Sequence, residues 1–425
     1  MQVLHSAVME TWEHRESLVA RGLGRSYGDA SLSSERVLVT SKLNRMLAFD
    51  SQTGVLCCEA GVSFAEILNT FVSRGWFPPV TPGTKHVTMG GALAADIHGK
   101  NHHKDGSFIN FVDSFLLLSA NRELIRCSRN QNSELFWATA GGMGLTGIVL
   151  ELELRLKPVQ SGAMNVKKIR CTNLAETFKM IEETEAQYEY SVCWIDCLAG
   201  GNNLGRSILI IGKHASSVQQ DQRNSNNAAA KNGKPVPFDM PGWLLNRYSI
   251  SAFNQLYYSF SSGSAEEKLE HYNTFFYPLD FLSDWNRLYG KNGFIQYQCV
   301  LPLETSKQGM EEILALSAKR GRSSFLAVLK KFAKGNGLLS FPIAGYTLTL
   351  DMPVKPGLFE FTKELDELVI KYGGRVYLAK DACLSPESFR QMYAAGLDDW
   401  IRIKKEADPA KLFRSALSDR LKIVG

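Results

Sequence analysis

The sequence predicts an α+β protein of about two domains. It has 425 residues, whereas one domain usually contains ~100 to 200. Helical and strand patterns follow one another along the chain, and 44% of the residues are hydrophobic, enough for ordinary globular cores. The composition changes near Pro158, so we expect the first α+β unit to end at about residue 160.

The first unit contains a clear helix start and two strand patterns. Ser63 and Glu66 have the spacing of a capping box, which opens a helix that ends at Gly75. Residues 112–120 are largely apolar and predict a buried strand. Residues 150–156 alternate strictly between apolar and charged side chains, which predicts a half-buried strand.

The middle of the chain restarts the pattern and then becomes polar. Residues 167–212 predict strands and a helix, whereas residues 215–234 are polar and of low complexity. Such a segment cannot bury an apolar face, so we expect it to be mobile. Residues 238–260 concentrate aromatic and leucine side chains with only Asp239 and Arg247 charged. Core packing is the default explanation for this stretch, and contact with a lipid surface is the alternative.

The last part of the chain predicts a helix, a strand and a helix pair. Residues 359–372 are amphipathic and end at two glycines. Residues 375–379 predict a strand that leads directly to Lys380. Ser385 and the proline after it supply an N-cap and a first helical residue for the final helices.

Charge and cysteine content exclude several classes of protein. The formal net charge is +5 without a block of like charges, so nucleic-acid binding is not indicated. Residues 1–15 lack a basic region followed by an apolar one, so we expect no signal peptide. No run of about 18 apolar residues predicts a membrane-spanning helix. The eight scattered cysteines indicate reduced thiols in a cytosolic protein.

The histidines do not predict a metal site. His98, His102 and His103 lie close together, but neither a cysteine nor an acidic residue completes a tetrahedral set at suitable spacing. We therefore expect no bound metal.

Three glycine-rich loops are the most informative feature. They span residues 20–29, 81–101 and 141–147. Glycine lets backbone N–H groups approach a pyrophosphate, while Arg21 and Arg25 add positive charge. The first loop lacks the full G-x-G-x-x-G spacing and the acidic residue about 20 positions later, which disfavours a classical nicotinamide fold. A large, flat, phosphate-bearing cofactor is indicated, and we expect a flavin.

Together the three loops resemble those of the vanillyl-alcohol-oxidase and p-cresol-methylhydroxylase (PCMH) type of FAD-binding flavoprotein. The resemblance implies an FAD-binding domain built from residues 1–160 and 375–425. Residues 161–374 would form a substrate-binding domain on an antiparallel sheet flanked by helices. The implied cofactor-binding residues are Arg21, Gly22, Leu23, Gly24, Arg25, Ser26, Tyr27, Gly83, Thr84, Thr88, Gly90, Gly91, Ala92, His98, Gly99, Asn101, Gly144, Gly147, Ile148 and Tyr377.

Six further segments resemble the decaprenylphosphoryl-β-D-ribose 2-oxidases within this group. They are residues 97–103, 134–139, 276–280, 293–298, 324–330 and 377–381. The resemblance implies oxidation of the ribose 2′-hydroxyl of a polyprenyl-phosphate sugar to the 2-keto sugar. An NAD(P)-dependent short-chain reductase would then complete epimerisation to arabinose, a precursor of bacterial cell-wall arabinan. It further implies a cytoplasmic enzyme, with a peripheral contact to the inner membrane left open.

The same resemblance implies the roles of the site residues. Lys380 and Tyr27 would act in catalysis. The implied substrate-binding residues are His98, Lys100, Tyr277, Gln296, Gln298, Lys330, Thr347 and Thr349. Gln296 and Gln298 lie two apart on a predicted strand, so both face the same side. Lys330 and Lys331 are interchangeable at this stage.

Three residues depart from what the resembled families carry. Arg25 stands where many relatives tether FAD through a histidine, so we expect noncovalent FAD. Thr347 and Thr349 stand where the resembled oxidases have a pocket asparagine and a pocket cysteine. We therefore expect that electrophilic nitroaromatic inhibitors do not trap this chain covalently.

Two other functions are compatible with the sequence. A soluble polyol or aldonolactone oxidase of the same superfamily would act without a lipid. A non-catalytic flavin-binding subunit would serve a partner reductase.

Overall fold

The computed structural model describes residues 16–216, 234–261, 266–278, 280–322 and 326–423. The expectation that residues 1–15 contain no signal peptide concerns a segment outside the described residues. So does the expected mobility of residues 217–233 within the polar segment. No helix in the described ranges is both long and apolar enough to cross a membrane.

The strands, in chain order, are β1 (Leu18–Arg21), β2 (Arg36–Val39), β3 (Met46–Phe49), β4 (Val55–Glu59), β5 (Trp76–Phe77), β6 (Val112–Leu118), β7 (Leu124–Ser128), β8 (Ile148–Arg155), β9 (Lys157–Pro158), β10 (Ala163–Cys171), β11 (Tyr190–Ile195), β12 (Ser207–His214), β13 (Lys234–Pro235), β14 (Lys268–His271), β15 (Leu282–Ser283), β16 (Phe294–Pro302), β17 (Ala327–Phe332), β18 (Gly345–Pro353) and β19 (Arg375–Val376).

The α-helices are Phe64–Phe71, Met89–Ala94, His102–Asp105, Ser133–Thr139, Leu174–Thr184, Arg247–Phe260, Tyr272–Phe276, Leu303–Arg320, Leu358–Lys371, Pro386–Met392, Ala394–Ala407 and Ala416–Arg420. Short 3₁₀ turns lie at Val72–Arg74, Phe108–Phe111, Gly201–Asn203, Trp285–Tyr289 and Leu378–Lys380.

A five-stranded antiparallel sheet organises the first part of the chain, in the order β3-β4-β8-β6-β7. Its central strand β8 confirms the predicted strand, because its leucines are buried while Glu151 and Glu153 are half-buried. The predicted capping box is confirmed as well. The Glu66 carboxylate accepts from the Ser63 backbone N–H at 2.7 Å, and the Ser63 hydroxyl accepts from the Glu66 N–H at 3.3 Å.

An eight-stranded antiparallel sheet organises the rest, in the order β14-β10-β12-β11-β17-β18-β16-β19. Strand β18 is almost entirely buried, and its apolar side chains join the main core. Helices Leu174–Thr184, Leu303–Arg320 and Leu358–Lys371 pack against this sheet. The α+β class, with a helix-flanked antiparallel sheet, is therefore confirmed.

The predicted strand over residues 375–379 is wrong beyond its second residue. Only β19 pairs with β16, at the edge of the eight-stranded sheet. The chain then turns, because the Lys380 N–H donates to the Tyr377 carbonyl at 2.8 Å. The segment is therefore extended only over Arg375–Val376 and continues as a 3₁₀ turn at Leu378–Lys380. The domain boundaries at residues 160 and 374 stay predictions.

A buried ion pair fixes the C-terminal segment beside β1. The Lys404 ammonium contacts the Asp408 carboxylate and donates to the Phe413 carbonyl at 3.0 Å. Asp408 also accepts from the backbone N–H groups of Leu412 and Phe413, both at 2.8 Å. The Leu18 N–H in turn donates to the Leu412 carbonyl at 2.8 Å. This pair therefore supports the strand that leads into the first glycine loop.

We predict that Lys404→Met lowers the free energy of unfolding by about 3 kcal/mol, because it leaves the Asp408 carboxylate buried without its cation. The side chains of Lys404 and Asp408 are only 4% and 0% exposed. Urea unfolding of the holoenzyme measures the change. Lys179→Met is the control, since the exposed Lys179–Glu183 pair should contribute less than about 0.5 kcal/mol. Equal losses in the two variants would contradict the prediction.

Candidate active site

One cavity of about 1240 Å³ collects side chains from both large sheets and from all three glycine loops. It exceeds the roughly 300 to 1,000 Å³ of a pocket for one drug-sized ligand. There is therefore room for a large cofactor and for part of a substrate.

Most of the predicted site residues line this cavity. Those on the lining are Gly22, Leu23, Gly24, Arg25, Ser26, Tyr27, Gly83, Thr84, Thr88, Gly90, Gly91, His98, Gly99, Lys100, Gly144, Gly147, Gln296, Gln298, Lys330, Thr349, Tyr377 and Lys380. Those that do not line it are Arg21, Ala92, Asn101, Ile148, Tyr277 and Thr347. Arg21 donates to the Ser31 carbonyl at 3.2 Å, and the Tyr277 hydroxyl contacts Thr81. These two side chains therefore contact other protein groups and do not line the cavity.

The glycines form a backbone cradle that suits a phosphate-bearing cofactor. Gly144 has a φ of +77°, and a Cβ there or at Gly83 would meet only open space. Gly22 allows close packing instead, because its Cβ would lie 2.2 Å from the Thr88 hydroxyl oxygen. Arg25 adds a cation to the lining. These features fit a dinucleotide such as FAD.

The first loop is clamped onto the segment that carries Lys380. A Cβ at Gly28 would lie 1.7 Å from the Asp381 carbonyl oxygen, so only glycine permits this approach. The Tyr27 N–H donates to the Ala379 carbonyl at 2.9 Å. Arg420 donates twice to Asp29 at 2.8 Å and once to Asp381 at 2.9 Å. Sequence reasoning missed Arg420, since nothing in a terminal helix pattern marks it.

Lys380 and Tyr27 lie side by side as a result. The Lys380 ammonium is 3.7 Å from the centroid of the Tyr27 ring. Burial lowers the pKa of Lys380 to about 7, Asp351 opposes this shift, and Lys330 adds to it. Burial raises the pKa of Tyr27 above its ordinary value. The neutral form of the amine, which can accept a proton, is therefore more accessible than in an exposed lysine.

Asp351 is a buried carboxylate that the sequence analysis did not single out. It lies opposite Gln296 in the β16–β18 register, and the Gln296 amide nitrogen donates to it. Burial raises its pKa, while Gln296 and Lys380 oppose the shift. A charged residue on a strand that is otherwise apolar or uncharged was a signal that could have identified it.

Gln298 and His98 form the opposite part of the polar wall. The Gln298 amide nitrogen donates to His98 Nε2 at 2.9 Å and to the Thr347 hydroxyl at 3.1 Å. Burial lowers the pKa of His98, so its ring is neutral and carries its proton on Nδ1. Because its nitrogen already serves protein groups, the Gln298 amide oxygen is the atom that can accept from a substrate hydroxyl.

Lys330 and Lys331 take different directions. Lys330 lines the cavity, whereas the Lys331 ammonium is 2.6 Å from Glu185. Their adjacent positions on β17 explain this, since successive side chains point to opposite faces. Of the two, Lys330 is therefore the one that can meet a ligand in the cavity.

Two of the three clustered histidines pack among aromatic side chains. His98 and His102 pack against Phe332, with ring centroids 4.8 and 4.4 Å apart. Across the part of the chain that the structure describes, no group of three His, Cys, Asp or Glu side chains could hold a metal ion.

Comparisons with known proteins agree with this geometry. Residues 2–128 match the family described as FAD binding domain, and residues 348–421 match the D-arabinono-1,4-lactone oxidase family. Decaprenylphosphoryl-β-D-ribose oxidase of Mycolicibacterium smegmatis is 38% identical over 97% of this chain and 90% of its own. L-gulonolactone oxidase of Bos taurus is 21% identical over 94% and 88%.

These matches establish the cofactor class and the reaction type. The cavity with its glycine cradle and the match to an FAD-binding domain agree, so the cofactor is FAD. Both similar enzymes are oxidases, and each match covers nearly the whole length of this chain. The chain belongs to the decaprenylphosphoryl-β-D-ribose oxidase family and is an FAD-dependent oxidoreductase.

Proposed function

We propose that this enzyme oxidises the 2′-hydroxyl of a polyprenyl-phosphate pentose to the 2-keto sugar, the first half of an epimerisation toward arabinose. The observation that carries the proposal is the 38% identity over 97% of the chain to decaprenylphosphoryl-β-D-ribose oxidase. A soluble aldonolactone or polyol oxidase is the weaker candidate, because the gulonolactone oxidase of similar coverage is only 21% identical.

The polar wall of the cavity supplies what alcohol oxidation needs. The glycine loops that line the cavity would hold FAD, and the bound flavin would supply the hydride acceptor. Lys380 in its neutral form accepts the hydroxyl proton, and burial makes that form accessible near neutral pH. The amide oxygens of Gln296 and Gln298 hold sugar hydroxyls, since their nitrogens donate to Asp351 and to His98. The pocket Thr349, 9% exposed, contributes a smaller polar contact.

We further propose that the protein is cytoplasmic, touches the inner membrane and passes its product to an NAD(P)-dependent short-chain reductase. A 2-keto sugar must be reduced to yield the epimer, which motivates the reductase. Large side chains around helix Arg247–Phe260 support the membrane contact, since Tyr248 is 85%, Phe260 80% and Trp243 73% exposed. Phe253 and Tyr257 of the same helix also line the cavity, which would bring the mouth of the cavity close to lipid.

Lys380→Met should slow anaerobic flavin reduction by a polyprenyl-phosphoryl ribose by about 10²- to 10⁴-fold, as expected for loss of a general base. In the wild type the limiting rate should rise with pH through about 7, because the amine accepts a proton only above its pKa. Stopped-flow bleaching measures both effects. Free pentitols and lactones serve as comparison substrates, and reduction by them at an equal rate would favour the soluble oxidase instead.

Asp351→Asn should move the midpoint of that pH profile to lower pH. The Asp351 carboxylate raises the pKa of Lys380, so the amine should lose its proton more readily without it. The same stopped-flow series measures the shift. A pH profile with an unchanged midpoint would mean that Asp351 does not influence the titrating group, which would contradict the prediction.

The triple variant Trp243→Ser, Tyr248→Ser, Phe260→Ser should lose most binding to liposomes, because it removes exposed apolar surface. Flotation with vesicles containing anionic lipid measures the binding. Leu124→Ser is the control. Leu124 is 54% exposed, but it is on β7 of the five-stranded sheet and not in the segment that carries the three aromatic side chains. Unaltered flotation of the triple variant would contradict a membrane contact at this helix.

The yellow colour should stay in the supernatant when the holoenzyme is precipitated with acid. Arg25 occupies the tether position, and its Nε donates to the His86 carbonyl at 3.2 Å. Absorbance of the two fractions decides, and flavin retained in the pellet would mean a covalent bond.

A further inference from the structure

We infer that Lys100, Lys168 and Lys330 form a subsite that binds the phosphate of a polyprenyl-linked substrate, with Glu270 holding Lys168 until that anion enters. The inference rests on the proposed function and deepens it by assigning the phosphate to side chains. Sequence reasoning had named Lys100 and Lys330, whereas Lys168 and Glu270 emerge from the fold.

The four side chains come from separate elements and share one cavity wall. Lys168 is on β10, two residues beyond the part of that strand that pairs with β14, and its ammonium is 3.6 Å from the Glu270 carboxylate. Lys100 follows the second glycine loop, and its ammonium is 4.3 Å from the Phe275 ring centroid. Lys330 is on β17. All four line the cavity.

This wall carries more positive than negative charge. Among the described residues, neither Lys100 nor Lys330 has a carboxylate within 4.0 Å, whereas Lys168 has Glu270. Burial lowers the pKa of Lys330 to about 8 and of Lys100 to about 7. Lys330 and Lys168 add to the shift of the Lys100 pKa, whereas Glu270 opposes it. Confined cations without a counter-ion are unfavourable, so an entering phosphate would form strong charge-assisted hydrogen bonds.

An apolar track beside the lysines identifies which phosphate fits. Lys168 is paired with Ile210 in the β10–β12 register, and Ile210 with Val192 on β11. Trp194 follows on β11, and its ring centroid is 4.8 Å from that of Tyr257. These apolar residues line the same cavity and lead to the exposed aromatic side chains of helix Arg247–Phe260. A phosphate attached to a polyprenyl chain matches this sequence of charged and apolar surfaces.

The chain supplies matched controls on the same strands. Lys167 precedes Lys168 on β10, and Lys331 follows Lys330 on β17. Neither control residue lines the cavity. Substituting either lysine of a pair by methionine removes one positive charge from the same strand. In one variant the lost side chain lines the cavity, and in the other it does not.

Isothermal titration of the FAD-loaded holoenzyme with farnesyl phosphate tests the subsite, with farnesol as the phosphate-free probe. Lys168→Met and Lys330→Met should each weaken farnesyl phosphate binding by about 10- to 100-fold, the loss expected for a hydrogen bond between charged groups. Binding of farnesol should not change. Glu270→Gln should tighten farnesyl phosphate binding, because it removes the competing carboxylate. Lys167→Met and Lys331→Met should bind as the wild type does.

Several results would overturn the inference. Equal weakening of farnesol and farnesyl phosphate, or equal effects of Lys167→Met and Lys168→Met, would mean general damage to the sheet. Lys168→Arg should retain affinity if charge is what matters, and its failure to do so would count against the subsite. Inorganic phosphate binding as tightly as farnesyl phosphate would assign the site to a free anion.

Failure of the subsite and failure of the proposed function look different. If the function is wrong, the wild type binds farnesyl phosphate in this lysine-dependent way, but polyprenyl-phosphoryl ribose does not reduce its flavin. If the subsite is wrong, that substrate still reduces the flavin, while Lys168→Met leaves farnesyl phosphate binding unchanged.

Discussion

The close approach of the Gly28 backbone to the Asp381 carbonyl is the contact on which the active site depends. It joins the first glycine loop to a segment more than 350 residues later in the chain, and any side chain at Gly28 would collide with it. Arg420 reinforces the junction by donating to Asp29 and to Asp381. Tyr27 and Lys380 are neighbours because this junction holds them there.

Burial then determines the chemistry of the groups that the junction brings together. In the cavity wall it lowers the pKa of Lys380 and raises the pKa of Asp351, while their mutual attraction opposes both changes. The same effect keeps His98 neutral, so that its hydrogen bond orients Gln298. A base, two oriented amide oxygens and a wall of cations result from one low-dielectric cavity.

The local features were predictable from sequence because short-range physics decides them. The capping box at Ser63, the alternation in β8 and the glycine cradle each depend on residues a few positions apart. The predictions that were wrong and the residues that were missed depend on contacts between segments that are distant in sequence. The end of the strand after Val376, the role of Arg420 and the pairing of Lys168 with Glu270 follow from elements that are distant in sequence.

The measurement that tests the central claim most directly is the isotope effect on anaerobic flavin bleaching by polyprenyl-phosphoryl ribose. If hydride leaves C2 of the sugar, deuterium at C2 should slow the limiting rate by a primary effect, whereas deuterium at C3 should not. Equal limiting rates for the C2-labelled and unlabelled substrates would contradict this. A primary effect with the C3-labelled substrate would contradict it outright.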